Sequence, residues 1–264
     1  MRTALYAVAL LVALYATPSP SLAKTPFEEA AQLIEAGQIP EARRALAEEL
    51  RIHPKHVEAR YNLAVLLQQI GQKKEAAKLY EENLAIAWHL PSVINLTAIL
   101  RQEGNTVQAK RWLKKATGKL RYEAAPWYLL ASIAEAEGHM HDAEKNYRKA
   151  VTTDPLNGFA HLRLAGFQSR RQIDDKGIKE VDRAIDLLPD CAPCWRESGD
   201  ILFAAGKLQA ALKSYQHSLA IRPDAKTRQQ LIHLLNSLGE HKRATRMQQA
   251  LDTWKKYQHA DSNL

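Results

Sequence analysis

The sequence predicts an all-α protein of about seven antiparallel helix pairs stacked into one solenoid. Three observations lead there. A glycine returns at Gly37, Gly71, Gly104, Gly138, Gly206 and Gly239, with a period of about 34 residues that is doubled once, between Gly138 and Gly206. Five positions after each stands an alanine, at Ala42, Ala76, Ala109, Ala143, Ala211 and Ala244. Prolines recur in the same frame at Pro54, Pro155, Pro189 and Pro223, the last three evenly spaced by that same period. Such a period, holding two amphipathic stretches of about 13 to 14 residues, marks a repeat architecture whose units bury their apolar faces against one another.

The N-terminal stretch 1–23, "MRTALYAVALLVALYATPSPSLA", reads as a leader. Arg2 supplies a positive start, Ala4 to Ala16 is apolar, and Ser21-Leu22-Ala23 offers small residues to a signal peptidase. The expectation is a signal peptide cut after Ala23, with a bacterial-type start that puts the mature chain in a periplasm. The apolar run of about 13 residues is short of the roughly 20 that span a bilayer, so an uncleaved anchor is the competing reading. No stable membrane insertion of the mature chain is expected. Loss of Arg2 takes the formal charge from +8 to +7. That excess favours anionic surfaces or partners without choosing among them, and export argues against nucleic acid as the target.

The repeats are read at residues 24–56, 57–89, 90–123, 124–157, 158–191, 192–224 and 225–257, followed by a tail at 258–264. In each, the glycine makes the turn, the alanine lets helices approach, and the proline stops the second helix. Tyr80, Trp112, Tyr147 and Tyr215 are expected to fill the space between layers. Repeat three departs from the pattern, with Gly118 in its second helix and no closing proline. Repeat five departs further, with Gln172 in the glycine's place and Gly177 in the alanine's. A glycine within a helix costs about 1 kcal/mol relative to alanine, so a bend or widened turn is expected at this joint. Trp254 is expected to pack on the last layer, ahead of a frayed end.

The fourth repeat, "PWYLLASIAEAEGHMHDAEKNYRKAVTTDP", carries Trp127, Leu130, Ala131, Gly138, Ala143, Tyr147, Ala150 and Pro155. The second carries Tyr61, Asn62, Leu63, Ala64, Gly71, Ala76 and Tyr80, and the sixth Trp195, Gly199, Gly206, Ala211, Tyr215 and Pro223. At these positions the chain resembles the tetratricopeptide repeat (TPR) family over residues 24–257. The resemblance implies a right-handed superhelix whose concave face, lined by the first helix of each pair, binds extended or helical peptides. It also implies a protein that is not an enzyme. Transferring the groove positions gives Tyr61, Asn62, Val65 and Gln68 in repeat two, then Ile94, Asn95 and Arg101 in repeat three. Repeat four gives Tyr128 and Ser132, and repeat five Leu162 and Arg170. Repeat six gives Arg196, Asp200 and Phe203, and repeat seven Lys226 and Gln229. The middle of this groove is rather apolar and its C-terminal part more polar, with Arg170, Arg196 and Lys226, which suits a protein or peptide with an apolar anchor and an acidic end. The competing reading is that the apolar side chains pack against neighbouring first helices and the basic ones are solvated surface.

Chaperone-binding members of the family clamp a C-terminal carboxylate with lysine, asparagine and arginine from three repeats. Asn62 and Asn95 match the asparagine position, but Phe27, Ala31, Tyr61, Val65, Pro91 and Ala125 stand where its partners belong. The clamp is therefore not expected.

The chain's two cysteines, Cys191 and Cys194, lie in "LLPDCAPCWRESGD". Asp190 is expected to cap the following helix, with Pro193 in its first turn. Haem attachment needs a histidine where Trp195 stands. Zinc needs about four ligands and there is no second cysteine pair. A redox pair is chemically open at a helix start, but the βαβ setting of thioredoxin-like motifs is missing. In an exported chain the default is a local structural disulfide, worth on the order of 1–2 kcal/mol for so small a loop. His139, His141 and Asp142 could hold a metal only weakly, and no nucleophile elbow, phosphate loop or metalloprotease motif occurs. No cofactor, metal or catalytic residue is expected. The function expected is a non-catalytic periplasmic adaptor for an envelope assembly or secretion complex. A self-associating scaffold in the form of a homo-oligomer and a component of peptidoglycan or polysaccharide machinery are the alternatives, with a redox CxxC protein behind them.

Overall fold

Fourteen α-helices follow one another in the computed structural model, which describes residues 24–171 and 175–261, with no strand among them. They pair as α1 (Pro26–Glu35) with α2 (Ile39–Ile52), α3 (Val57–Gln69) with α4 (Lys73–Ile86), and α5 (Leu90–Gln102) with α6 (Thr106–Lys119). Next come α7 (Ala125–Ala136) with α8 (Met140–Thr153) and α9 (Gly158–Ser169) with α10 (Asp175–Leu187). The row ends with α11 (Ala192–Ala204) and α12 (Leu208–Ile221), then α13 (Ala225–Ser237) and α14 (His241–Asp261). The stretch 1–23, expected to be a leader, Gln172 and the last residues, 262–264, lie outside the described residues.

The six turns with a periodic glycine are built the same way. Gly71 takes φ +84°, its N–H donates to the Gln68 carbonyl, and the Gln72 N–H donates to the Leu67 carbonyl. These two bonds satisfy the last carbonyls of α3 and require a left-handed residue that glycine adopts without strain. The other five periodic glycines also have positive φ, between 71° and 81°. Between pairs the brake is different. His53, Asp154 and Arg222 close α2, α8 and α12 in non-helical backbone, each directly before a proline, whose ring disfavours the helical region for its predecessor. Helix α6 has no such proline and runs through Gly118 to Lys119.

Among the described residues, substantial contacts join each helix only to the next one or to the one after that, as a solenoid requires. The helices that meet across a skipped neighbour are all odd-numbered: α5 with α7, α7 with α9, α9 with α11 and α11 with α13. First helices thus approach more closely than second helices, and the row curves with its odd helices on the inside. The seams are close because the residues there are small. Ala42, Ala76, Ala109, Ala143 and Ala211 are wholly buried. Four positions further on, counting from Gly177 in the fifth pair, Leu46, Tyr80, Leu113, Tyr147, Val181 and Tyr215 fill the layers, none more than 2% exposed. Leu113, not Trp112, takes that place in the third pair. Trp112 is only half buried and faces Trp88, with ring centroids 6.2 Å apart. Helix α14 continues to Asp261, beyond the expected start of the tail at 258. Trp254 packs partly buried against the last cluster, with the Arg228 guanidinium 5.2 Å above its ring.

The fifth pair has its own fastening. His161 on α9 is 7% exposed; its Nδ1 lies 2.5 Å from the Glu180 carboxylate on α10 and its Nε2 3.0 Å from the Pro155 carbonyl. Both neighbours are acceptors, so the ring satisfies both only as an imidazolium. The hydrogen bond to Glu180 accordingly raises the His161 pKa, against the opposing effects of burial and Arg183. Donation to the proline carbonyl recurs in register, from Arg60 to Pro54 and from Trp195 Nε1 to Pro189 at 2.7 Å. One linker further on, Cys191 and Cys194 are joined, with Sγ atoms 1.99 Å and Cα atoms 5.2 Å apart. Cys191 itself caps α11, its Sγ accepting the Cys194 N–H, so the cap is not the exposed Asp190.

These contacts set the response to substitution. Gly206→Ala should lower stability by about 1–2 kcal/mol through backbone strain alone, because a methyl there would have no neighbour within 4 Å. Gly206→Asn should cost less, whereas Gly199→Ala should cost about 1–3 kcal/mol, because its Cβ would fall 2.5 Å from the Tyr215 ring. Urea melts of the three variants would rank them. The His161 pKa is raised above its ordinary 6.5, so the ion pair's contribution is complete below that pH and fades as pH climbs through the folded-state value. His161→Gln should therefore cost about 1–2 kcal/mol more at pH 6 than at pH 9, read from paired denaturant melts. Cys191→Ser removes the crosslink but keeps a capping oxygen, so its melting temperature should fall by only a few degrees.

Candidate concave binding groove

The odd-numbered helices carry the residues expected in the groove, and the structure divides them into three groups. At the N-terminal end the side chains bond mainly to one another. The Asn95 amide donates to the Tyr61 hydroxyl at 3.3 Å and the Tyr80 hydroxyl at 3.0 Å, and Tyr80 donates to Gln68 at 3.1 Å. Asn95 thus orders three helices, α3, α4 and α5, instead of reaching for a ligand. Burial, the larger effect, pushes the Tyr80 phenol up to about 12 despite the Asn95 bond. Tyr61 also meets His89 edge-on, with ring centroids 4.9 Å apart. Asn62, Val65 and Ile94 are half buried along the same wall.

The middle group is a set of rungs between successive layers. Arg101 donates to the Ser132 hydroxyl at 3.3 Å. Arg170 grips Glu135 with two bonds of 2.7 and 2.9 Å, and Tyr147 donates to the same carboxylate at 3.0 Å. The bond to Glu135 is the main reason the Arg170 pKa is raised. Arg163 pairs with Glu197, the residue at its own position one repeat later. Tyr128 stands half buried beside this network, its phenol pKa raised chiefly by burial. Leu162 corrects the expected lining: it is wholly buried in the core, because α9 is packed between α7 and α11.

The third group surrounds a cleft of about 410 Å³ between α9, α11 and α13, lined by Arg170, Arg196, Glu197, Asp200 and Lys226, with Ser169 and Ile201 among the rest. Four of its five charges, all but Glu197, were expected in the groove, and the fold brings them together. Gly166 keeps the floor open, since a Cβ there would lie 3.4 Å from Arg170 Nη1 and 3.7 Å from Ile201 Cδ1. The charges are unequally occupied. Arg170 is held by Glu135, Glu197 by Arg163, and Asp200 accepts the Tyr215 hydroxyl at 2.8 Å. Among the described residues no carboxylate lies within ion-pair distance of Arg196 or Lys226. Gln229 is exposed one turn beyond Lys226, and Phe203 faces His233 at 5.2 Å. Ser169 and Gly166 were missed from sequence. The Arg163–Glu197 rung was legible in principle, as opposite charges one full repeat apart. No cluster of three metal-ligating side chains occurs among the described residues, and His139 bonds to Glu137 at 3.5 Å.

Similarity to known proteins points the same way. A family model described as tetratricopeptide repeat-like domain matches residues 60–240, and one described as tetratricopeptide repeat matches residues 27–91. The human protein O-mannosyl-transferase TMTC1 is 25% identical over 169 residues, 62% of this chain but 19% of that protein. The chain spans about a fifth of that relative's length. Among solved structures, the APC/C hetero-tetramer Cut9–Hcn1 superposes with a TM-score of 0.60 at 18% identity, covering 80% of this chain and 42% of that one. A tetratricopeptide repeat protein from Parabacteroides merdae gives 0.60 at 16% identity, covering 86% and 91%. Yeast Tom70 gives 0.60 at 17%, covering 81% and 48%. Proteins of this kind are generally non-catalytic scaffolds for protein–protein interaction. With a family model over residues 60–240, well beyond half its length, the chain belongs to the tetratricopeptide repeat family.

Proposed function

We propose that the protein is a non-catalytic adaptor that holds an extended segment of another protein in its concave groove. The partner's acidic group sits in the cleft between α9, α11 and α13, and an apolar side chain rests toward Tyr128, Ile94 and Val65. The observation that carries this reading is Arg196 and Lys226 beside an open cleft of about 410 Å³ without carboxylate partners among the described residues. Neighbouring carboxylates are already engaged, so an anionic ligand there meets cations instead of displacing internal pairs. The leader adds the compartment: export to a periplasm, where the partner belongs to an envelope assembly or secretion complex.

Binding of acidic and charge-neutral peptides of equal length, followed by fluorescence anisotropy, tests the reading. Arg196→Glu with Lys226→Glu should weaken the acidic peptide by about tenfold or more, equivalent to about 1.4 kcal/mol, and leave the neutral one unchanged. Tyr128→Ala should weaken both. Equal affinity for the acidic peptide before and after charge reversal would remove the cleft from the function.

A further inference from the structure

The outer side of the solenoid carries a feature that the groove does not use. Helix α6 reads "TVQAKRWLKKATGK", with five cations and no carboxylate. The outer helices on either side are mixed: α4 carries Glu75, Glu81 and Glu82 among its lysines, and α8 carries Asp142 and Glu144 among its basic residues. α6 buries Ala109, Leu113 and Ala116 against the stack. Opposite that face, Val107, Arg111, Lys114 and Lys115 form one exposed stripe at helical spacing, prolonged by Tyr122 just past the helix end. Val107 is 77% exposed and Tyr122 86%, the two most exposed large hydrophobic side chains among the described residues. Lys110 is taken by Glu137 at 2.8 Å, but no described carboxylate lies within ion-pair distance of Arg111, Lys114 or Lys115. On the flank the Trp112 ring lies 5.0 Å from the Lys115 ammonium, and Glu81 lines the same shallow hollow.

We propose that this stripe docks the protein on an anionic lipid bilayer surface, with the convex side of the solenoid against the headgroups and the concave groove facing away. The chemistry favours a bilayer over other polyanions. The stripe is an exposed helix face, which a flat surface can meet along its length, and the hollow beside it, shared by Arg111 and Lys115, also holds the Glu81 carboxylate. It also places an aliphatic and a phenolic side chain at its two ends, beyond the cations. The headgroup boundary accepts such groups beside Lys and Arg, whereas phosphate contacts alone have no use for them. Attachment is peripheral, since no described helix is long and apolar enough to cross a membrane. Helix α14 supplies an internal contrast. It carries Lys242, Arg243, Arg246, Lys255 and Lys256, but its Trp254 is packed inward under Arg228.

Co-sedimentation of the mature chain, without residues 1–23, with phosphatidylcholine vesicles, with and without phosphatidylglycerol, tests the proposal. The protein should sediment with the anionic vesicles, stay in solution with the neutral ones, and be released by added salt. Arg111→Glu, Lys114→Glu and Lys115→Glu together should reduce partitioning at least tenfold, as each cation near an anionic surface contributes about fivefold. Val107→Ser with Tyr122→Ser should weaken partitioning while leaving its salt dependence. Lys242→Glu with Arg246→Glu and Lys255→Glu should bind as the unaltered chain does. Circular dichroism melts establish folding, and if the triple variant on α6 does not fold, Arg111→Glu and Lys115→Glu singly provide the same reading. Failure of the unaltered chain to sediment with anionic vesicles would overturn the proposal, as would an equal loss in the α14 variant. Partitioning indifferent to Val107 and Tyr122 but abolished by a soluble polyanion would instead mark a general polyanion surface, and would also overturn it.

Discussion

How closely one helix pair can lie on the next decides the shape of this protein. Ala42, Ala76, Ala109, Ala143 and Ala211 place only a methyl group between adjacent helices, and each is wholly buried. A single larger group at these seams would separate two layers and, because contacts pass only between neighbours, would weaken everything beyond it. The bulk that fills each layer comes four positions later, where three tyrosines carry hydroxyls that reach inner-helix side chains. Each of those tyrosines connects the core to the groove wall. The same ring that excludes water from a layer also fixes Gln68, Glu135 or Asp200 on the concave side.

Several polar residues enter these seams with a partner, although the buried Ser198 hydroxyl has none among the described residues. Seven positions after the seam alanines, Asn83 and Ser218 are wholly buried, and each donates to a backbone carbonyl at the start of the inner helix of its own pair, Val57 and Ala192 respectively. Glu49, at the matching place in the first pair, meets His56 at 2.7 Å. Buried polar groups of this kind are tolerated because they are bonded, and they add direction to contacts that alanine leaves unspecific. His161 and Glu180 extend the principle to the fifth pair, where a charged bond joins α9 to α10 and the preceding linker.

Much of this is legible in the chain itself, because a repeat of fixed length assigns every side chain a place. Turn glycines, seam alanines and helix-ending prolines can be read directly, since each is needed for a backbone reason or a size reason. Where sequence and structure part, the causes are equally local. Bulk favours Trp112 as the layer residue, but register puts Leu113 there. Leu162 occupies a groove position by count, yet α9 lies between two inner helices and covers it. Asp190 has the chemistry of a cap, but the helix begins one residue later and uses the sulfur of Cys191. The rungs between layers are hardest to read, because which carboxylate an arginine chooses depends on side-chain reach as well as period. Arg170 selects Glu135 in the repeat before it, while Arg163 selects Glu197 in the repeat after.

Those rungs all lie on the inner rim, where the odd helices converge, and each connects one layer to the next. They therefore act on the coil as stitches along its inside seam: they restrain how far the spiral can unwind without adding to the strength of any single turn. Ions that screen them would let the spring lengthen while every layer remains intact, so the groove's curvature is set partly by the solution around it.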